Sequence, residues 1–270
     1  MKADILDIQA NKVGQVELPI QFKEQVREDL IKRAFLSYMS SNRKSYGAFK
    51  YAGGQHSAKL SRRRRDYKAS YGKGISRVPR KILWKRGGQF GWVGAVAPGT
   101  VGGRRSHPPK SSKMFIQKIN QKERKKAIRS AISATINKDF VSKRNNLFVT
   151  NIPLILNENF ENIKKAKELE ALFEKMGLNA AVERSKQKQI RSGRGKLRSR
   201  KYRKKTGFLI VTSKKCDLFK AAKNFPGLDI CTVDSLNVKL LAPGSYPGRF
   251  TIWSKSAIDR LSKEKLFIQK

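Results

Sequence analysis

Residues 42–112, in the middle of a 270-residue chain, hold 18 Lys or Arg and a single acid, Asp66. They also hold 12 Gly and eight Phe, Tyr or Trp. No ordinary connection between packed elements runs to this length, so the stretch is either disordered or ordered by something outside its own domain. Its composition favours the second reading. A bare polycationic linker is rich in Lys, Ser and Glu and poor in rings. Here Tyr46, Phe49, Tyr51, Tyr67, Tyr71, Trp84, Phe90 and Trp92 are interleaved with Arg62, Arg63, Arg64, Arg65, Arg77, Arg80 and Arg86. Guanidinium groups contact phosphates bidentately and stack on planar rings. Aromatic side chains stack on unpaired bases, and glycines let the backbone approach closely. A solvated, flexible charge run is the alternative.

A second block, 184–205, holds 12 Lys or Arg and no acid. Together the two blocks carry +29 of a net charge of +41, leaving +12 for the other 177 residues. Self-repulsion at that charge opposes compactness. A polyanion relieves it, and counterion release makes such binding strong and salt-dependent. The second block reads as a strap tracking phosphates, although a nuclear localisation signal has the same composition. The cations expected to bind RNA are Arg43, Lys44, Arg62, Arg63, Arg64, Arg65, Lys68, Lys73, Arg77, Arg80, Lys81, Lys85, Arg86, Arg104, Arg105 and Lys110 in the first block. In the strap they are Arg191, Arg194, Lys196, Arg198, Arg200 and Arg203.

Hydrophobic residues make up 39% of the chain, enough for one core but not for 270 packed residues. The expected division is a globular α/β domain from 1–41 and 113–270, a basic loop at 42–112, and the strap within the globular part. Apolar spacing predicts helices over 24–41 (Leu30, Ile31, Ala34, Phe35, Tyr38) and 118–137 (Ile128, Ile132, Ile136). Lys122, Arg124, Lys125 and Lys126 crowd the start of the second helix against its dipole, which suits a nearby anion. Beyond 147 the pattern alternates. Strands are predicted at 147–150, 179–182, 208–212, 229–233 and 249–253, with helices over 160–176, 215–223, 234–241 and 255–262. The first 18 residues read as an edge hairpin. Such alternation predicts an α/β domain with a mostly parallel sheet and helices packed on it.

Catalytic patterns are missing. Gly72-Lys73-Gly74-Ile75-Ser76-Arg77 carries Arg where a dinucleotide fingerprint needs Gly or Ala, and Gly195-Lys196 is followed by Leu197, with Ile190 at the first P-loop Gly position. Gly87, Gly88 and Gly91 lie in the basic loop outside any βαβ unit. His56 and His107 have no evident acidic partner in sequence. Cys216 and Cys231 are too few for a zinc site or a disulfide framework and read as core residues of a reduced setting. No enzyme, cofactor or metal is expected. No apolar run spans a bilayer, and Met1-Lys2-Ala3-Asp4 opens no signal peptide, so a cytoplasmic, membrane-free setting is expected.

Several phrases resemble a known family. They include Ser76-Arg77-Val78-Pro79-Arg80, then Val96-Ala97-Pro98-Gly99-Thr100-Val101-Gly102-Gly103-Arg104-Arg105-Ser106-His107-Pro108-Pro109-Lys110, and Ala127-Ile128-Arg129-Ser130-Ala131-Ile132. With Leu241-Ala242-Pro243-Gly244 and Thr251-Ile252-Trp253, in that order, they resemble the family of large-subunit ribosomal protein four, in phrasing closer to archaeal than to eukaryotic members. The resemblance implies a three-layer α/β globular domain, its mostly parallel central sheet flanked by helices, on the outer surface of the large subunit, and a long extended loop threading the rRNA. The loop tip then helps form the constriction of the peptide exit tunnel beside a neighbouring ribosomal protein, within reach of the nascent polypeptide. The tip maps to 72–92, with Lys73, Arg77, Arg80, Trp84 and Trp92 as tunnel candidates. Residues 81–86 and 89–92 replace a stretch richer in Gly and His in the family, and two tryptophans there imply stacking or narrowing. A general nucleic-acid packaging protein and an RNA-modifying protein are the alternatives.

Overall fold

The computed structural model describes residues 1–66, 69–87, 89–145 and 152–268, which fall into two compact units. One comprises Met1–Asn42 with Ile116–Lys270, the other Arg43–Phe115. In chain order the elements are β1 (Lys2–Leu6), β2 (Lys12–Glu17), α1 (Glu28–Ser41), β3 (Arg80–Arg86), β4 (Gln89–Gly94), α2 (Gln121–Ala134) and α3 (Lys138–Asn145). Then follow β5 (Leu154–Leu156), α4 (Ala166–Lys175), α5 (Asn179–Lys186), β6 (Lys188–Ile190), β7 (Tyr202–Lys204), β8 (Leu209–Thr212) and α6 (Leu218–Ala222). The chain closes with β9 (Asp229–Thr232), α7 (Val238–Leu241), β10 (Thr251–Ser254) and α8 (Lys255–Lys263).

The first unit is built on a six-stranded sheet in the order β2-β1-β5-β10-β8-β9. Only the β1–β2 edge hairpin is antiparallel; the other pairs run parallel. Side chains alternate across each strand, so both faces must be covered. On one face Ile155, Leu209, Val211 and Trp253 pack with Ile31 and Ala34 of α1, Ala131 and Ile132 of α2, Leu241 of α7 and Ile258 of α8. On the other, Leu154, Leu156, Ile210 and Ile252 pack with Val141 of α3, Leu172 and Phe173 of α4, Val182 of α5 and Leu218 of α6. Each fully buried side chain of this size stabilises by about 1.5–3 kcal/mol. A mostly parallel sheet between helices is what the alternating pattern predicts.

Several boundaries differ from expectation. The helix expected over 234–241 is a 3-10 turn, Val233–Ser235, and the one-turn α7, because Leu236 and Asn237 leave the helical region between them. Residues 179–182 are helical, not a strand: Leu178, Ala181, Val182 and Ser185 are buried at helical spacing along α5. The expected helix 160–176 is a short 3-10 turn, Glu158–Asn162, followed by α4, because Ile163 and Lys165 are extended between them. It does close at Gly177, whose positive φ of 69° lets Leu178 N donate to Phe173 O at 2.9 Å. Helices α1 and α2 begin later than their apolar spacing suggests, after extended Arg27 and Asn120. Strands β5, β6 and β7 and helix α3 are additional elements, while the strand expected at 147–150 lies outside the described residues.

The second unit is built around the antiparallel pair β3–β4, with register from Arg80↔Gly94 to Arg86↔Gln89 and an irregularity between Ile82 and Trp84. Two isolated bridges, Lys59↔Arg80 and Ser61↔Ala69, add to it. Its two ends meet where Ala48 N donates to Pro109 O at 2.9 Å. A Cβ on Gly47 would lie 2.2 Å from Ser111 N, so only glycine permits that approach.

Candidate nucleic-acid interface

Within Arg43–Phe115 several cations lie over aromatic rings. Arg64 and Arg77 both lie over Tyr71, with guanidinium carbons 5.1 and 5.6 Å from its centroid. Arg43 sits 4.1 Å from the Phe115 centroid, Tyr46 stacks on the same ring at 5.8 Å, and Lys113 approaches it at 5.6 Å. Lys73 sits 5.3 Å from Trp92. Each exposed contact is worth about 0.5–1 kcal/mol and fixes the cation without consuming all its donors. Stacked guanidiniums keep edge N–H groups for phosphate oxygens.

Of the candidates in this unit, Arg43, Lys44, Arg62, Arg63, Arg64, Arg65, Lys73, Arg77, Lys81, Lys85, Arg86, Arg104, Arg105 and Lys110 are exposed. Arg80 is half-buried, bent back so that it donates to Val78 O at 3.3 Å and Ser76 Oγ at 3.1 Å. Lys68 lies outside the described residues. Among the tunnel candidates, Trp84 is 55% exposed on β3, and Trp92, half-buried on β4, carries Lys73 on its ring. Gly91 makes room for the first of these: a Cβ there would lie 2.3 Å from Trp84 Nε1. Arg43, Tyr46, Arg105, His107, Lys110 and Phe115 line a cavity of about 690 Å³ that holds no carboxylate.

In the first unit the strap folds as a hairpin, β6–β7, with Lys188 and Lys201 at 5.8 and 5.6 Å from the Tyr202 ring. Arg191, Arg194, Lys196, Arg198, Arg200 and Arg203 are all exposed. Ion pairs of this unit engage other cations instead: Arg129 with Glu24 at 2.8 Å, Arg249 with Asp229 at 2.6 Å, and Arg260 with Asp234 at 2.8 Å. Sequence reasoning missed Arg144, which belongs to no basic run. It meets Arg184, Arg203, Lys204 and Lys205 around a cavity of about 440 Å³, a convergence that only tertiary structure creates.

The carboxyl ends of the parallel strands, where α/β enzymes bind ligands, are occupied by the protein itself. Glu161 accepts from Ser213 N at 3.0 Å and Ser213 Oγ at 3.1 Å, and from Ser254 Oγ and Ser256 Oγ at 2.6 Å each. Burial pushes the Glu161 carboxyl up, but these donors outweigh it and hold it below its ordinary value. Its negative charge lies at the start of α8, where Ser254 also caps Ala257 N at 3.2 Å. Among the described residues, no group of three or more His, Cys, Asp or Glu could hold a metal ion, and no helix is long and apolar enough to cross a membrane. Cys231 is buried, which pushes its thiol up to about 12, and half-buried Cys216 is raised for the same reason.

The family model of the ribosomal protein L4/L1 family matches residues 16–264. The chain is 46% identical over 268 residues to the large ribosomal subunit protein uL4 of Nanoarchaeum equitans, covering 99% of this chain and 100% of that protein. It is 41% identical to uL4 of Archaeoglobus fulgidus, covering 97% and 99%, and 40% identical to uL4 of Methanocaldococcus jannaschii, again covering 97% and 99%. Matched along nearly its whole length at these identities, the chain belongs to the ribosomal protein L4/L1 family, whose members are structural ribosomal components and not enzymes.

Proposed function

We propose that this chain is a structural constituent of the large ribosomal subunit that binds its rRNA through Arg43–Phe115 and the β6–β7 strap. The β3–β4 hairpin then contributes to the wall of the peptide exit tunnel, beside a neighbouring ribosomal protein and facing the nascent polypeptide. The globular part at 1–41 and 113–270 docks by its basic surface, and the insert at 42–112 runs between rRNA segments. One observation supports this reading: exposed Arg43, Arg64 and Arg77 of Arg43–Phe115 lie over aromatic rings, a geometry that presents guanidinium edges to phosphate. Phosphate contacts position the chain, and insertion of Arg and Trp into RNA crevices supplies shape specificity.

Limited proteolysis tests it. In the isolated chain the insert is expected to be cut before the sheet unit, because its order depends on RNA packing around it. In assembled subunits the same bonds are expected to be protected. Equal cleavage in both states would overturn the role of rRNA in ordering the insert.

A further inference from the structure

We infer that the first unit carries a second RNA contact, a socket for one unstacked nucleotide whose phosphate sits between α3, α5 and β7 and whose base lies against Tyr246. This rests on the rRNA-binding reading and deepens it, naming a site outside the insert.

Two cavities share Arg144. The first, about 440 Å³, is lined by Arg144, Arg184, Arg203, Lys204 and Lys205, with Gln189 and Thr206 as the remaining, neutral polar lining. Among the described residues, no carboxylate lines it. Arg144 is held in place by donating to the carbonyl oxygens of Tyr246 and of Pro243, the latter at 2.8 Å. Its guanidinium is largely desolvated; burial first, then the charges of Arg249 and Arg184, lower it to about 10. A fixed cation that is both desolvated and repelled by its neighbours is relieved by an anion. Inorganic phosphate and a phosphodiester share that chemistry, and the neighbouring cavity decides between them.

That cavity, about 420 Å³, is lined by Phe140, Tyr246 and Pro247 with Lys143, Arg144 and Glu28. Tyr246 is 72% exposed, a flat ring presented to solvent on a Pro-Gly turn that Arg144 pins. Rings and proline offer a stacking surface, and base stacking on an aromatic side chain is worth about 1–3 kcal/mol. Glu28 offsets one of the two cations of this second cavity, Lys143 and Arg144, and offers an acceptor to a base N–H. With five cations and no acid among the described residues lining the first cavity, charge favours one polarity: phosphate beside Arg203 and Lys205, base beside Tyr246 and Glu28. A free phosphate leaves the stacking cavity empty, and an acidic peptide meets Glu28 unfavourably.

The test is ultraviolet cross-linking of the full chain to a short single-stranded RNA, with adducts mapped by mass spectrometry. Adducts are expected on Tyr246 as well as in Arg43–Phe115. Replacing the exposed pair as Arg203→Gln/Lys205→Gln is expected to lower the Tyr246 adduct about tenfold at moderate salt while leaving those of the insert unchanged, since two phosphate contacts are lost at one site only. Excess inorganic phosphate should compete weakly and an acidic peptide not at all. Insert adducts without a Tyr246 adduct would overturn the socket and leave the proposed function standing. Competition by the acidic peptide as strong as by RNA would also overturn it. No RNA adduct anywhere would overturn both.

Discussion

Two polar side chains, buried Arg249 and half-buried Glu161, tie neighbouring strands and loops of the sheet unit together. Arg249 is 1% exposed and donates to Gly207 O at 2.8 Å, Leu240 O at 2.9 Å, Phe208 O at 3.2 Å and Asp229 Oδ2 at 2.6 Å. It ties the start of β8 to β9 and to α7. Replacing it with Ala leaves buried carbonyls without donors, and the unfolding free energy by denaturant titration is expected to fall by about 3 kcal/mol. Arg249→Lys should recover only part, because an ammonium cannot span the same fork. Glu161 is the second. Its carboxyl is held below the ordinary range, so the folded state prefers it ionised. The stability it adds is full above its unfolded value near 4.3 and is lost as pH falls through its lower folded value. Glu161→Gln is expected to cost about 1–3 kcal/mol at neutral pH, with the gap to the parent protein closing on acidification below about pH 4. A gap that stays constant with pH would mean the carboxylate charge contributes nothing.

At the scale of elements, the cation–ring clusters make a distinction that charge alone does not. Arg64 shares the Tyr71 ring with Arg77, and all four arginines 62 to 65 are exposed. Replacing all four arginines, 62 to 65, with Ala is expected to flatten the dependence of log affinity on log salt by about 0.9 per lost duplex contact, or about 0.7 per single-strand contact. An unchanged slope would show the turn to be solvated in the complex. Strands β8, β9 and β10 and most helices were legible, β8 as a continuous apolar run at 208–212 and α8 from apolar residues recurring at helical spacing over 255–262. Short elements were not. In α5, Val182 suggests a strand over 179–182 until Leu178 and Ser185 are counted on the same helical face. The three residues of β5 follow a proline and are too few to show any period. The hairpins β3–β4 and β6–β7 were hidden for different reasons: cations hold four of the seven positions of β3 and β4 is interrupted by glycine, while β6 and β7 are three residues each, too short to show a period.

For the whole molecule, most of the charge excess lies outside the stretches that supply the two core clusters, and where that charge lies was visible in the sequence. The convergence of Arg144 with the strap cations was not, because it depends on where α3 and α5 pack against the sheet. The junctions of the insert are close: Ser37 Oγ donates to Gln117 O at 2.6 Å, and Gln117 N donates to Ser40 Oγ at 2.9 Å. A short Gly/Ser linker can therefore replace Arg43–Phe115. The shortened chain is expected to unfold cooperatively with a Tm within a few degrees of the parent, since loop closure varies only slowly with length. Its salt-dependent RNA affinity should fall by several orders of magnitude, as binding measured across a salt series would show.

The most direct measurement is a density map of the assembled large subunit containing this chain. The expected result is Arg43–Phe115 enclosed by rRNA over most of its surface, with the β3–β4 hairpin at the wall of the peptide exit tunnel. An insert standing in solvent, or packed only against protein, would contradict it.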